Sequence, residues 1–308
     1  MFKTDITALL GIEYPCFQGA MAWVADADIA AAVSNAGGLG IIAAGSAPAD
    51  WVRAQIRRAR EKTDRIFGVN IMLMSPTAPD IAQLVIDEKI QVVTTGAGNP
   101  GKYMPMWKQA GIKVIPVIAS VAQAKRMQRV GADAVVAEGC EAGGHIGELT
   151  TMTLVPQVVD AVDIPVVAAG GIADGRGIAA AFMLGAKGVQ VGTRFLVAKE
   201  CNVHDNFKDA VIECGDIGTI VTGRSTGHPV RVIKNQLARE NLKLERETQD
   251  IEKIEEQLTG TLRLAVVEGD TKKGSLMAGQ SAGMVTKRQT AEEIITEMFS
   301  QAEKLLAR

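Results

Sequence analysis

The sequence predicts an α/β protein: a (β/α)8 TIM barrel with a small helical lid inserted after the eighth strand. Three observations carry this. Eight short apolar runs of β-branched character are bounded by Gly, Pro, Asn or Asp. Segments of helical length, amphipathic or Ala-rich, separate them. Runs such as Val114-Ile-Pro-Val-Ile-Ala119 and Pro165-Val-Val-Ala-Ala-Gly170 are apolar without alternation, as strands buried on both faces of a parallel sheet must be. Repeated strand–helix units of this length favour a closed barrel over an open doubly wound sheet.

The strands are expected at Tyr14–Gly19, Gly38–Gly45, Phe67–Leu73, Val92–Ala97, Lys113–Ala119, Ala134–Gly139, Ile164–Gly171 and Gly188–Phe195. The helices between them are expected at Asp26–Ala36, Pro48–Lys62, Pro79–Glu88, Lys102–Ala110, Val121–Val130, Leu154–Val162 and Gly175–Leu184. The eighth, Thr290–Leu306, comes only after residues 200–268 have broken the rhythm. That interval contains Arg239–Gln257, dense in Glu, Lys and Arg, which reads as a solvated helix face with i,i+4 pairs. The expected division is therefore a barrel of residues 1–199 and 269–308 with a lid of residues 200–268. Inserted after the last strand, the lid would cover the C-terminal strand ends, where such barrels carry their sites.

Length and composition agree. The chain has 308 residues, enough for a barrel of about 250 plus an insertion. A net charge of −2 gives no nucleic-acid or membrane footprint. No apolar run reaches the ~18 residues of a membrane span, and the first residues, Met-Phe-Lys-Thr-Asp-Ile, lack a signal-peptide apolar region. The four cysteines form no CxxC pair and no regular spacing, so reduced thiols and a cytoplasmic location are expected.

Residues just after each strand should converge on one pocket. Gln18, Gly19, Ala20 and Met21 follow the first strand, Asn70 and Met72 the third, and Thr95 the fourth. Glu138 ends the sixth, and the glycine-rich turn Gly143-Gly-His-Ile-Gly147 follows with His145 at its centre. Histidine suits proton transfer near neutrality; a flexible turn with a surface imidazole is the bland alternative. The seventh strand runs into Gly170-Gly171 and the eighth into Gly192-Thr193. Glycines in those two loops are where bare backbone N–H groups can approach a phosphate. Gln18, Asn70 and Gln190 both donate and accept, as a heteroaromatic ring edge demands, and Met21 and Met72 offer soft apolar surface. No Asp/Glu/His cluster has metal spacing, and no lysine at a strand end is placed for a Schiff base. Flavin mononucleotide (FMN) satisfies these requirements, with phosphate at the last two strands and ring over the mouth. A colourless sugar-phosphate isomerase or aldolase, and a flavin carrier without turnover, are the remaining classes.

The chain resembles the FMN-dependent enoyl-acyl-carrier-protein reductases of the FabK type and, more distantly, the nitronate monooxygenases. Phe17-Gln-Gly-Ala-Met21, Ser34-Asn-Ala-Gly-Gly-Leu-Gly40, Gly68-Val-Asn70, Glu141-Ala-Gly-Gly-His145, Ala168-Ala-Gly-Gly-Ile172 and Gln190-Val-Gly-Thr-Arg194 are common to both. Thr94–Tyr103, Glu148-Leu-Thr-Thr-Met152, Gly227–Asn235 and the late Met277–Gly283 segment extend the likeness, the first three favouring the reductase. The resemblance implies reduction of a trans-2-enoyl thioester on acyl carrier protein, with NADH or NADPH as co-substrate. His145 would be the catalytic histidine, acting as acid or oxyanion partner. The FMN contacts would be Gln18, Gly19, Ala20, Met21, Asn70, Thr95, Glu138, Gly143, Gly144, Gly170, Gly171, Gln190, Gly192 and Thr193. The resemblance leaves room for a monovalent cation and a homodimer, and leaves the nucleotide preference and chain length open. Three further expectations concern charged side chains. His204 reads as a surface residue; Arg194 either belongs to the phosphate loop or pairs with a carboxylate below the barrel; Arg231, Lys234 and Lys102 are candidates for docking an acidic carrier protein.

Overall fold

The computed structural model describes residues 2–248 and 250–307. Strands β1 (Cys16–Gln18), β2 (Gly40–Ala43), β3 (Phe67–Met72), β4 (Val92–Gly96), β5 (Lys113–Ile118) and β6 (Val135–Glu138) are followed by β7, a two-residue strand (Gly144–His145) outside the barrel. Strands β8 (Val166–Ala169) and β9 (Gly188–Val191) complete the eight. They form one parallel sheet in the order β1-β9-β8-β6-β5-β4-β3-β2. Backbone bonds from Gln18 N to Leu39 O (3.0 Å) and from Leu39 N to Cys16 O (2.8 Å) join its two edges. The fold is the expected TIM barrel.

Helix α1 (Asp5–Leu10) precedes the first strand and was not foreshadowed by the βα rhythm. Its Ile6 and Leu10 pack with Phe17, Leu39, Ile41, Val92, Ile115, Val136 and Val167, the inward-facing residues that fill the barrel. The ring of helices is α2 (Ala27–Asn35), α3 (Ala49–Lys62), α4 (Ala78–Asp87), α5 (Met104–Gln109), α6 (Val121–Arg129), α7 (Thr151–Val159) and α8 (Gly175–Met183). A four-residue α9 (Thr193–Leu196) follows β9. Helix α7 starts three residues before the apolar pattern predicts because Glu141 accepts from the Thr151 N–H (3.0 Å), fixing its first turn.

Helix α2 lies directly on β2. A Cβ at Gly40 would sit 1.8 Å from the Ala30 carbonyl oxygen, in backbone that cannot give way. Gly40→Ala is therefore expected to cost at least ~3 kcal/mol, read as a large fall in Tm or loss of soluble protein.

Residues 200–268 contain more than helices. Helix α10 (Asp205–Ile212) leads to a hairpin of β10 (Thr219–Thr222) and β11 (Val230–Ile233), and then to α11 (Gln236–Glu247), α12 (Ile251–Leu258) and α13 (Thr261–Arg263). The hairpin is the departure from the expected helical lid; its two β-branched runs were hidden beside the charge-rich helices. Strand β11 also pairs antiparallel with β7, placing Val230 opposite His145 and Arg231 opposite Gly144. The chain then returns over the strand ends. Met277 bridges to Val232, and Gly279 N donates to Thr193 Oγ1 (2.8 Å). Helix α14 (Ala291–Leu306), capped by Thr290 and Glu293, packs beside α8 and α2 and completes the ring.

Candidate active site

Side-chain parity sorts the expected residues. In β3 and β4, Asn70 and Thr94 lie side by side, with Asn70 Nδ2 donating to Thr94 Oγ1 (3.0 Å). Val92, two residues before Thr94, belongs to the inward cluster, so Asn70 and Thr94 face inward. Glu138 has the parity of the inward residues Ala134 and Val136, and Gln190 lies against Gly19, where a Cβ would be 3.4 Å from its side chain. Met21 Sδ is 3.8 Å from the corresponding position at Gly192. Asn70, Glu138, Gln190, Gly19, Met21 and Gly192 thus meet at the mouth.

Two expected residues do not. Thr95 shares the face of Val93, which packs with the outer helices, and its buried hydroxyl finds no partner among the described residues. Gln18 is fully buried, its amide oxygen accepting from Ile41 N (3.1 Å) and its amide nitrogen donating to Gly19 O. It stitches β1 to β2. A period-two reading would have found both, since Gln18 has the opposite parity to the inward Phe17 in β1 and Thr95 to the inward Val92 in β4.

The loops after β8 and β9 form a cradle of backbone N–H groups. Gly170 and Gly171 have φ of +95° and +72°, conformations that glycine adopts without steric cost. Among the described residues, the N–H groups of Gly171, Ile172 and Gly192 donate no backbone hydrogen bond. Thr193 keeps its hydroxyl proton free to donate while accepting from Gly279 N. Glu141 stands beside Gly171, engaged with Thr151 N and Thr151 Oγ1 (3.0 Å each). Gly143 packs so closely on Ala278 and Gly279 that a Cβ there would lie 2.6 Å from backbone. The Met277–Gly283 segment is therefore part of the wall. The sequence likeness had marked it, yet none of its residues was among the expected contacts.

His145 sits at the seam between this wall and the hairpin. Its side chain stays open to solvent, and its pKa is lowered from the ordinary value, first by partial desolvation and then by the neighbouring His228, so the neutral imidazole predominates at pH 7. Burial pushes the Glu138 carboxyl up to about 7 from its ordinary 4.5. The folded protein then binds a proton there that the unfolded chain has released, so stability falls as pH rises from about 4.5 through about 7. Glu138→Gln should remove that loss. Thermal unfolding should show the variant gaining on wild type by on the order of 2 kcal/mol between pH 5 and pH 8; a constant difference would contradict a protonated Glu138.

The remaining candidates are structural. Cys140 is no thiolate, since burial and Glu141 raise its pKa. Arg194 is buried and donates to Lys287 O (3.2 Å) and to Gln289 Oε1; among the described residues it forms no ion pair with a carboxylate. His204 is half-buried rather than a free surface residue; its Nδ1 accepts from Asn206 N (3.1 Å) and caps α10. Arg231 is only 7% exposed and donates to Cys140 O at 2.8 and 3.0 Å and to Thr219 Oγ1, so it cannot present its charge to a partner. The β-strand parity of β11 turns it inward and leaves Lys234 exposed. Lys102 is exposed, over the Tyr103 ring at 4.6 Å. Among the described residues, no group of three His, Cys, Asp or Glu could hold a metal ion, and no helix is long and apolar enough to cross a membrane.

A TIM barrel with backbone N–H groups at glycines after its last two strands, amides and a methionine at the mouth, and one histidine on a glycine loop has the layout of a barrel enzyme with its site at the C-terminal strand ends. A sequence model of the nitronate monooxygenase family matches residues 3–301, and the chain belongs to that family. It is an FMN-dependent oxidoreductase. Over its whole length it resembles the structure of FabK from Thermotoga maritima, with TM-score 0.98 and 49% identity, covering 100% of this chain and 98% of that one. A "(3aS,4S,5R,7aS)-5-hydroxy-7a-methyl-1-oxo-octahydro-1H-indene-4-carboxyl-CoA dehydrogenase" of Mycobacterium tuberculosis is 42% identical over 76% of this chain and 67% of its own length. A probable nitronate monooxygenase of Staphylococcus saprophyticus is 34% identical over 99% of both chains.

Proposed function

We propose that the protein reduces the double bond of trans-2-enoyl thioesters carried on acyl carrier protein, using NADH or NADPH through FMN. The observation that carries this reading is the full-length likeness to FabK, hairpin and lid helices included. Two of the segments that favoured the reductase in the sequence share a partner in space: Leu149 O accepts from Cys140 N (2.8 Å), and Arg231 donates to Cys140 O (2.8 Å). The dehydrogenase relative, named for a carboxyl-CoA compound, is in keeping with a thioester substrate.

The residues fit FMN by their own chemistry. Free N–H groups of Gly171, Ile172 and Gly192 would hold its phosphate, and Asn70 and Gln190 its ring edge. A Glu138 that retains a proton near neutrality can lie under the ring without adding a full negative charge. When bound, FMN supplies the hydride. The chain supplies the rest: a neutral His145 can donate a hydrogen bond to the thioester oxygen as negative charge grows there, and the Met277–Gly283 segment and the hairpin close over it. Oxidation of a nitronate by oxygen is the second reading, favoured by the names of the Staphylococcus relatives. Anaerobic titration separates them. The reductase reading expects NADH or NADPH to bleach the flavin at once and propyl-2-nitronate to leave it oxidised; the reverse pattern would establish the monooxygenase.

A further inference from the structure

The loop that joins β10 to β11, Gly223-Arg-Ser-Thr-Gly-His228, is a compact device built from donors. Gly223 and Gly227 have φ of +73° and +78°. Thr226 Oγ1 donates to Gly223 O (2.9 Å), and Gly227 N and His228 N donate back to Arg224 O and Gly223 O (3.2 Å each). This folding turns Gly223 N, Ser225 N and Ser225 Oγ toward one point. There they hold the carboxylate of Glu245, from the last turn of α11, at 2.6, 3.3 and 3.1 Å. Two further side chains of the loop each meet a carboxylate: Arg224 with Glu148 (3.1 Å) and His228 Nδ1 with Glu255 (3.2 Å). Carboxylates of Glu245, Glu148 and Glu255 thus contact Gly223 N, Ser225 N and Oγ, the Arg224 guanidinium and the His228 ring, while the loop's other bonded donors are satisfied within it.

Two backbone N–H groups and a hydroxyl converging on an anion, with an arginine beside them, are what a phosphate group requires. We infer that residues 223–228 form a phosphate-binding loop whose anion position is occupied by Glu245 until a phosphate-bearing substrate displaces it. The loop ends two residues before Val230, which is opposite His145. A phosphate held there would anchor the distal part of a substrate whose reacting end lies at the histidine. Arg224 and His228 are exposed and their contacts with Glu148 and Glu255 lie at the surface, where such contacts contribute little and exchange readily. The identity of that substrate rests on the reductase reading, because a pyridine nucleotide and a phosphopantetheine thioester both carry the required group.

Inorganic pyrophosphate tests the loop without turnover. Calorimetric titration of the holoenzyme should show Glu245→Ala binding pyrophosphate about tenfold more tightly than wild type, and Arg224→Ala about tenfold more weakly. Unchanged or weaker binding in Glu245→Ala, with Tm preserved, would overturn the inference and leave Glu245 as a staple of the hairpin. If that variant loses Tm, Glu245→Gln decides: it keeps an acceptor for the loop without the charge, and must still bind pyrophosphate more tightly than wild type. Kinetics then locate the phosphate. A lower KM in Glu245→Ala for NADPH alone indicates its 2′-phosphate; for both nucleotides, the pyrophosphate bridge; for crotonyl-CoA and not the N-acetylcysteamine thioester, the thioester handle. No change in any KM would contradict a role in substrate binding. Loss of enoyl reduction with retained pyrophosphate binding would count against the reductase reading and leave the loop standing.

Discussion

Replacing His145 with Ala should slow transfer from reduced enzyme to enoyl thioester by about 10²- to 10⁴-fold, the range over which a positioned acid or oxyanion donor acts. Backbone pairing of β7 with β11 holds the residue in place, and among the described residues its side chain makes no hydrogen bond, so truncation should leave the loop in place. Flavin content and the rate of bleaching by NAD(P)H should stay within a few-fold of wild type. Stopped-flow absorbance separates the two half-reactions. Because the imidazole is neutral at pH 7, His145→Gln, which keeps an N–H donor, should recover part of the rate if the residue stabilises an oxyanion. No recovery would point to proton transfer instead. An unchanged rate in His145→Ala would demote the residue to a loop element.

Gly171→Val should yield protein with little or no bound flavin. Two effects combine. A β-branched residue at a φ of +72° is strained by at least ~1 kcal/mol, and its side chain would enter the space beside Glu141, where even a Cβ lies 3.5 Å away. The strained peptide can be expected to turn its N–H out of the cradle. The ratio of flavin absorbance to protein absorbance in purified enzyme reads the result. A normally yellow Gly171→Val of unchanged Tm would place the phosphate elsewhere.

The barrel was legible because its signal is redundant: buried parallel strands read as short unbroken apolar runs, and eight of them at βα spacing leave few alternatives. The glycine loops at residues 143–147, 170–171 and 192 were legible for a related reason, since close backbone approach selects glycine. What escaped were features fixed by tertiary partners. Helix α1 has only six residues and is defined by what it plugs. The hairpin at 219–233 has β-branched runs of only four residues each and is completed by β7. Arg231 reads as one more surface cation until its strand partner turns it toward Cys140 O. Gln18 has the chemistry of a ligand contact and the parity of a strand staple; composition alone cannot distinguish these.

The central claim is that the electrons carried by this flavoprotein go to an enoyl thioester. The direct measurement is to reduce the enzyme anaerobically with one equivalent of NADH or NADPH, add crotonyl thioester without oxygen, and follow the flavin band. The account predicts rapid, stoichiometric return of the oxidised spectrum with formation of the saturated thioester, a step slowed in His145→Ala. A flavin that stays bleached with enoyl thioester, and reoxidises only when air is admitted, would contradict it.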